Sequence, residues 1–350
     1  MSSGQRDNIQ SITGIQRFVT FALPTLLIIG ALIAYKSSTA VAVIGKVSAT
    51  QTFTPRASVI PLLGASEASV LERTLNYFLV IWPALTFGIL ISAAVTTFVS
   101  PRWLVRALGK GSLRAQIIAG ATGAPLMLCS CCVAPIFKGA YERSARLGPS
   151  LALMLAAPAL NPAALILTFM LFDYRVAGTR AAASLAAVLF TGMIADKVFG
   201  QTRVPCEVDS VSQNLSARSH LLSFVRSCVQ VALRLIPLIV IGVLASMVVA
   251  QCLAASAFTS SNGKLLAVIV IATFAIPLAL PTFFEIPLAF VLLNLGAPVG
   301  AALALLIAGP AINLPSLFTI MQSTSWRVAA VVAASVWVIA VASGILVNMI

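Results

Sequence analysis

Charge is what this chain has least of. Only 9% of its 350 residues are Asp, Glu, Lys or Arg, against about a quarter in an ordinary soluble domain. A water-facing surface needs about a quarter to a third of its residues charged, so a soluble globule is excluded. Acid is scarcer still, with nine Asp and Glu against 22 Lys and Arg. The single histidine, His220, excludes a His-based metal site. The sequence has no Walker motif, so the chain does not hydrolyse ATP by itself. It has no Ser-His-Asp set, no loop long enough to hold an enzyme domain, and no motif that calls for a cofactor. Alternating strands of about ten residues are missing as well, which excludes a transmembrane barrel. An apolar content of 60% excludes a disordered chain, and the want of a short repeat excludes a fibrous one.

What is present is a series of apolar runs near membrane-spanning length, separated by basic residues. That pattern reads as an all-α polytopic membrane protein whose partner is the lipid bilayer. The net charge of +13 fits the same reading. Lys and Arg between apolar runs hold cytoplasmic loops in place, and no nucleic-acid module can be read in any loop.

Residues 18–35 form a first span that ends at Lys36, too long for a signal peptide. Residues 37–68 read as an exposed connection outside the membrane, so 1–68 form the N-terminal unit. Ser69 and Glu72 have capping-box spacing and start a helix that runs to about Ser100, before Pro101. Arg102, Arg106, Lys110 and Arg114 lie in a loop without acid. This loop is placed in the cytoplasm, and the N-terminus with it. Residues 116–137 are apolar but broken by Gly123, Pro125 and Pro135. Lys138, Arg143 and Arg146 follow, and they stay inside only if this stretch enters and turns back. A re-entrant hairpin is therefore expected, with Cys129-Ser130-Cys131-Cys132 at its tip, facing a cavity. Spans at 150–172 and 180–200 complete a first membrane repeat, 69–200. Asp196 and Lys197 read as an interface pair. Residues 201–226, with Arg203, Glu207, Asp209, Arg218, His220 and Arg226, read as a cytoplasmic connector before a second repeat, 227–350.

The halves resemble each other. Pro125, Pro135, Pro158 and Asn161 recur 152 positions later as Pro277, Pro287, Pro310 and Asn313. Pro83, Gly88 and Ser92 recur 154 positions later as Pro237, Gly242 and Ser246. Each half then holds three spans and one hairpin, and an odd number of crossings inverts one half against the other. The expected architecture is an inverted-repeat bundle of about seven transmembrane helices plus two re-entrant helical hairpins, as in many secondary transporters. The helix breaks are assigned to Pro125, Pro135, Pro158, Pro162, Pro277, Pro287 and Pro310.

Three thiols within four residues on a bent backbone suit a soft centre such as Cu(I), Hg(II), Zn(II) or trivalent arsenic. On a regular strand or helix the Cys-Ser-Cys side chains are expected to point apart, so the turn matters. Cys129 and Cys132 also have the Cys-x-x-Cys spacing of a dithiol redox centre, which keeps a membrane thiol oxidoreductase in play. Cys206, Cys228 and Cys252 are scattered and take no role. Asn161 and Asn313 either cap broken helices or offer amides to a ligand. Glu285 is the only carboxylate after Asp209. It sits in the second hairpin tip, and a carboxylate at membrane depth is a candidate proton-coupling group.

The run from Leu126 through Cys129-Ser130-Cys131-Cys132 to Pro135, followed by Ala157-Pro158-Ala-Leu-Asn161-Pro162, resembles a predicted permease family. That family includes the ArsP-type organoarsenical efflux permeases. The resemblance extends from about residue 75 onward and takes in the second Pro-Ala-x-Asn copy. It implies a bacterial inner-membrane, multi-pass permease in which Cys129 and Cys131 bind a soft metalloid and Pro158, Asn161 and Pro162 shape a broken helix. Cys132 stands where the family pattern has Gly or another small residue. The expected function is gradient-driven export of a small thiol-reactive species, with trivalent organoarsenicals the leading substrate. Cys129, Cys131, Cys132, Asn161 and Asn313 would form the substrate site. A permease for a sulfur-containing anion is the alternative beside the oxidoreductase. Homo-oligomerisation is left open.

Overall fold

A computed structural model describes residues 23–50, 70–98, 113–142, 146–199, 217–252, 264–280, 283–294 and 296–349. The described residues are all-α, with no strand among them. The chain runs α1 (Leu23–Thr50), α2 (Val70–Phe98), α3 (Leu113–Gly123), a short 3-10 turn (Ala124–Leu126), α4 (Ser130–Glu142), α5 (Leu147–Ala159), α6 (Pro162–Leu171) and α7 (Tyr174–Phe199). It continues with α8 (Ala217–Cys252), α9 (Lys264–Ala275), α10 (Glu285–Asn294), α11 (Val299–Ala311), α12 (Leu314–Ser323) and α13 (Trp326–Met349).

Two element ends differ from the sequence reading. The first helix does not stop at Lys36 but runs to Thr50, so residues 37–50 are helical rather than an irregular connection. The Ser and Thr residues that read as loop have turned their hydroxyls onto the helix's own carbonyls. Ser38 donates to Tyr35 O at 2.8 Å and Ser48 to Gly45 O at 2.8 Å. Such back-bonding satisfies the hydroxyls without breaking the helix. The connector is also shorter than expected, because α8 begins at Ala217 and takes in Arg218, His220 and Arg226. Ser69, the loop residues Arg102, Arg106 and Lys110, Arg143, and the connector residues Arg203, Glu207 and Asp209 lie outside the described residues.

The 152-residue spacing of the prolines is also a spacing of helices. α5 and α11, Leu147–Ala159 and Val299–Ala311, match end for end, as do α6 and α12, Pro162–Leu171 and Leu314–Ser323. Both pairs are bent at the junction, by 41° in the first half and 43° in the second. α7 and α13 begin at the same spacing, at Tyr174 and Trp326. Even single bonds recur. Gly148 N–H donates to Asp196 Oδ1 at 2.8 Å, and Gly300 N–H donates to Asn348 Oδ1 at 2.8 Å. Asp196 therefore ties α7 to α5 instead of pairing with Lys197. Around both bonds the helices touch backbone to backbone. A Cβ on Gly192 would lie 2.8 Å from Gly148 O, and one on Gly344 would lie 2.5 Å from Gly300 O.

The halves meet through equivalent helices: α2 packs on α8, α7 on α13, α4 on α12 and α10 on α6. That is the pairing a two-fold relation produces. The contact places α4, α5 and α11 deepest, and nearly every residue of α11 is buried. Long apolar side chains such as Leu79, Phe190 and Val338 point outward, as they do when the outside is lipid.

Gly344→Ala is expected to lower stability by about 1–3 kcal/mol, the cost of overpacking, because the added methyl meets the Gly300 carbonyl on a facing helix. Gly30→Ala has open space within 4 Å and serves as the neutral control. Thermal unfolding in detergent compares the two; equal midpoints would contradict the packing described.

Candidate functional site

The two stretches expected to form hairpins each break at a left-handed residue. In the first, α3 ends at Gly123, the chain makes one 3-10 turn, and Met127 takes a left-handed conformation with φ 49°. Helix α4 then starts, and the Cys129 carbonyl accepts its first bonds, from Cys132 N–H at 3.0 Å and Val133 N–H at 3.1 Å. In the second, α9 ends at Ala275, Phe283 is left-handed with φ 74°, and Glu285 opens α10. Each left-handed residue thus stands two positions before a group that faces the centre, Cys129 in one half and Glu285 in the other.

Sequence reasoning put all three cysteines in the turn. The structure leaves only Cys129 there and places Cys131 and Cys132 in the first turn of α4. The thiols still converge. Cys129 and Cys132 are three apart at a helix start, the spacing that stacks side chains on one face, and their sulfurs are 2.8 Å apart. Cys129 and Cys131 sulfurs are 3.2 Å apart, and Cys131 and Cys132 sulfurs 3.9 Å. All three are free and buried. The circle through the three sulfurs has a radius of about 2 Å, so a point just above it lies about 2.3 Å, a metal–thiolate bond, from each. The trio can therefore hold one soft atom in a trigonal pyramid. Position 88 on α2 must be glycine for α4 to sit here, since a Cβ would strike the Cys132 carbonyl.

Of the three, Cys129 lines a small, water-sized cavity between the halves. The first half contributes Leu128, Cys129, Pro158 and Asn161; the second contributes Leu280, Glu285 and Pro310. Pro158 and Pro310 are equivalent positions next to the two helix bends. Asn161 caps α6, its Oδ1 accepting from Ala163 N–H at 3.1 Å and Ala164 N–H at 3.4 Å. Asn313 caps α12 through a capping box with Ser316. Capping and cavity lining coincide at Asn161, whereas Asn313 is buried at the second bend outside the lining set. Pro135 and Pro287 lie within α4 and α10, and Pro162 opens α6. Pro125 is in the exposed 3-10 turn and Pro277 in the turn after α9.

Glu285 is 2% exposed and is not alone. Arg180 of α7, fully buried, donates from Nη2 to Glu285 Oε1 at 2.9 Å. Its Nη1 donates to the hydroxyl of Thr168, which in turn donates to Ala164 O at 2.7 Å. A charge in the second hairpin is thereby fastened to the helix that Asn161 caps.

A family model described as a predicted permease, ArsP_1, matches residues 66–349. The chain belongs to this permease family. Similar proteins include the UPF0718 protein YraQ of Escherichia coli K12, 27% identical over 274 residues, 76% of this chain and 78% of that one. The UPF0718 protein MJ0584 of Methanocaldococcus jannaschii is 21% identical over 306 residues, 68% of this chain and 84% of that one. No solved structure matches. Family membership and the many apolar helices support a multi-pass membrane permease.

Arg180 is the residue of the site that sequence reasoning missed. It stood at the edge of an apolar run, where a basic residue reads as a loop anchor. Arg180 had a signal: the residues after it, Ala181-Ala182-Ala183-Ser184, are small enough for neighbouring helices to close over it.

Arg180→Leu and Glu285→Leu are each expected to destabilise the fold by about 3–5 kcal/mol, because each leaves a buried charge unpaired. The double variant should lose less than either alone. A double-mutant cycle of unfolding in detergent measures this, and additive losses would show that the pair does not carry the coupling.

Proposed function

We propose that the permease exports a small thiol-reactive species from the cytoplasm of a bacterium across the inner membrane, with a trivalent organoarsenical as the best-matched substrate. The observation that carries the proposal is the buried thiol trio, one of whose members lines a cavity formed by both halves. Methylarsenite, a small trivalent organoarsenical, has two exchangeable hydroxyls on arsenic. Two thiols replace them, each thiol proton leaving with a hydroxyl as water. Cys129 with Cys132, or Cys129 with Cys131, supplies such a pair.

In this reading α1, α2, the bent pair α5–α6, α7, α8, the bent pair α11–α12 and α13 are the seven spans. Three of these pass a length-and-hydropathy test outright and the two bent pairs pass as pairs. α2 and α8, at 29 and 36 residues, are long enough for the remaining two. The hairpins are α3–α4 and α9–α10, and the odd number of crossings in each half inverts one against the other. The basic loop before α3 sets the N-terminus in the cytoplasm. Transport is alternating access about the shared cavity, driven by the proton gradient. Protonation of Glu285 cancels its charge and releases Arg180, so the bond between the halves weakens in one protonation state and reforms in the other.

The 2.8 Å approach of Cys129 and Cys132 sulfurs favours one rival, a dithiol oxidoreductase. The two readings separate cleanly. Everted membrane vesicles are expected to take up methylarsenite only under a proton gradient, with uptake reduced at least tenfold by Cys129→Ser and less by Cys131→Ser or Cys132→Ser. Uptake no higher than in empty vesicles would end the arsenical assignment. A two-dalton mass shift on reduction, confined to the peptide bearing Cys129 and Cys132 and found without vectorial uptake, would favour the oxidoreductase. Protection of the thiols by a sulfur-containing anion and not by methylarsenite would favour the anion permease.

A further inference from the structure

Helix α7 carries polar groups that the scheme above does not use. Arg180, Ser184 and Thr191 lie within about 40° of one another around the helix axis, and all three are fully buried. Arg180 Nε, Ser184 Oγ, Thr191 Oγ1 and Asp196 Oδ2 have no hydrogen-bond partner among the described residues. Buried polar atoms of this kind are where proteins hold ordered water. Gln116 of α3, 1% exposed, continues the series around the helix. With its amide oriented to satisfy both partners, it donates to Leu189 O at 2.7 Å and accepts from Met193 N–H at 3.1 Å. It also sits 3.0 Å from where a Cβ on Gly192 would be, one turn before Asp196. The amide keeps one N–H and one lone pair for a further bond.

The second half supplies the control. The counterparts of Gln116, Thr168, Arg180 and Ser184 at the 152-residue spacing are Val268, Ile320, Val332 and Val336, all fully buried. At these four positions the fold builds the same helices in the same places without polarity, while Thr191 keeps a polar counterpart in the half-buried Ser343. Asp196 is the sharpest case. Its counterpart Asn348 makes the same bond to a glycine N–H at the same 2.8 Å. An amide satisfies the architecture, so the carboxylate's second oxygen serves something else.

We infer that Ser184, Thr191 and Gln116, with ordered water between them, form a proton path joining the Glu285–Arg180 pair to Asp196. The path covers about 24 Å of α7, at about 1.5 Å per residue. Asp196 is its outlet, at the end of α7 where Arg146 acts on it and Lys197 follows it; this is the face that the basic residues assign to the cytoplasm. At the other end Glu285 faces Arg180 and, across the cavity, Cys129. A proton taken by Glu285 from the cavity leaves the carboxyl as its bond to Arg180 reforms, moves along hydroxyls and water, and is released from the Asp196 carboxyl. No other reactant is needed. Only the first half carries Gln116, Arg180, Ser184 and a carboxylate at the end of the helix, so the path opens toward one side of the membrane.

The inference rests on proton coupling at Glu285, and its test separates the two claims. The full-length chain is reconstituted into liposomes holding a pH-sensitive dye, with a methylarsenite gradient as the probe. Ser184→Val and Asp196→Asn install residues that the second half already accommodates, so both variants are expected to fold. Proton flux driven by methylarsenite should fall at least tenfold in each, while methylarsenite still protects Cys129 from alkylation as in the unaltered chain. Unaltered flux in both variants overturns the path and leaves coupling standing. An unaltered chain that binds methylarsenite but moves no protons overturns coupling and the path together. If methylarsenite fails to protect Cys129, the metalloid reading fails; a proton current down an imposed pH gradient, lowered tenfold by both variants, would still support the path, and one unchanged by them would overturn it.

Discussion

A chain that breaks its helices at membrane depth must find partners for the freed backbone groups inside the protein, because hydrocarbon offers none. The described residues break at four places, two closed by an Asn side chain and two by backbone carbonyls. Asn161 and Asn313 close the two bends by accepting N–H groups from the helices that follow. At the first hairpin the Cys129 carbonyl accepts two N–H groups of α4. At the second, Phe283 and Phe284 carbonyls accept from Ile286 and Leu288 as α10 begins. The cavity lies where these repairs converge. Its polar lining, Cys129, Asn161 and Glu285, is thus a by-product of mending the backbone: residues at a break are held rigidly and face inward.

A second constraint follows from the first. Glu285, between two sets of broken helices, is buried, and a lone carboxylate there is costly. Arg180 meets that cost by bonding both Glu285 of the second half and Thr168 of the first. The pair cross-links the halves at the level of the cavity, where relative movement would open one side or the other. Under the proposed alternating access, structural and functional demands fall on the same bond, which must be strong enough to hold the halves and weak enough to yield to one proton.

The sequence carried much of this and withheld a definite part. All-α membrane character was readable from charge scarcity alone. The repeat was readable from Pro158-Ala-Leu-Asn161 and Pro310-Ala-Ile-Asn313, because a proline near a helix end and an Asn cap act locally and keep their spacing. Glu285 stood out as an isolated acid. What could not be read were partnerships across more than a hundred residues, such as Arg180 with Glu285 at a separation of 105. The limits of the first helix failed for a related reason. Ser37, Ser38 and Thr39 look like loop in a linear reading, and only in a helix do their hydroxyls find the carbonyls three or four residues back. The thiol cluster was expected from a turn, yet the helix made it: Cys132 reaches Cys129 because α4 starts between them.

Under the proposed metalloid reading, the third thiol, the departure from the pattern that the resemblance implies, bears on how a site that binds can also let go. A methylated trivalent arsenic has two positions open to sulfur, whereas the trio offers three sulfurs within 3.9 Å. A dithiol adduct then always has a neighbouring thiol able to attack, so arsenic can pass between sulfur pairs by exchange without ever being free. Cys129 is the member facing the cavity. Any exchange that moves arsenic from Cys131 or Cys132 to Cys129 moves it toward the shared space, and the reverse draws it in. A site with only two thiols would hold the same adduct with no internal competitor. On this argument Cys132 speeds release more than it tightens binding, and losing it should slow turnover while leaving capture intact.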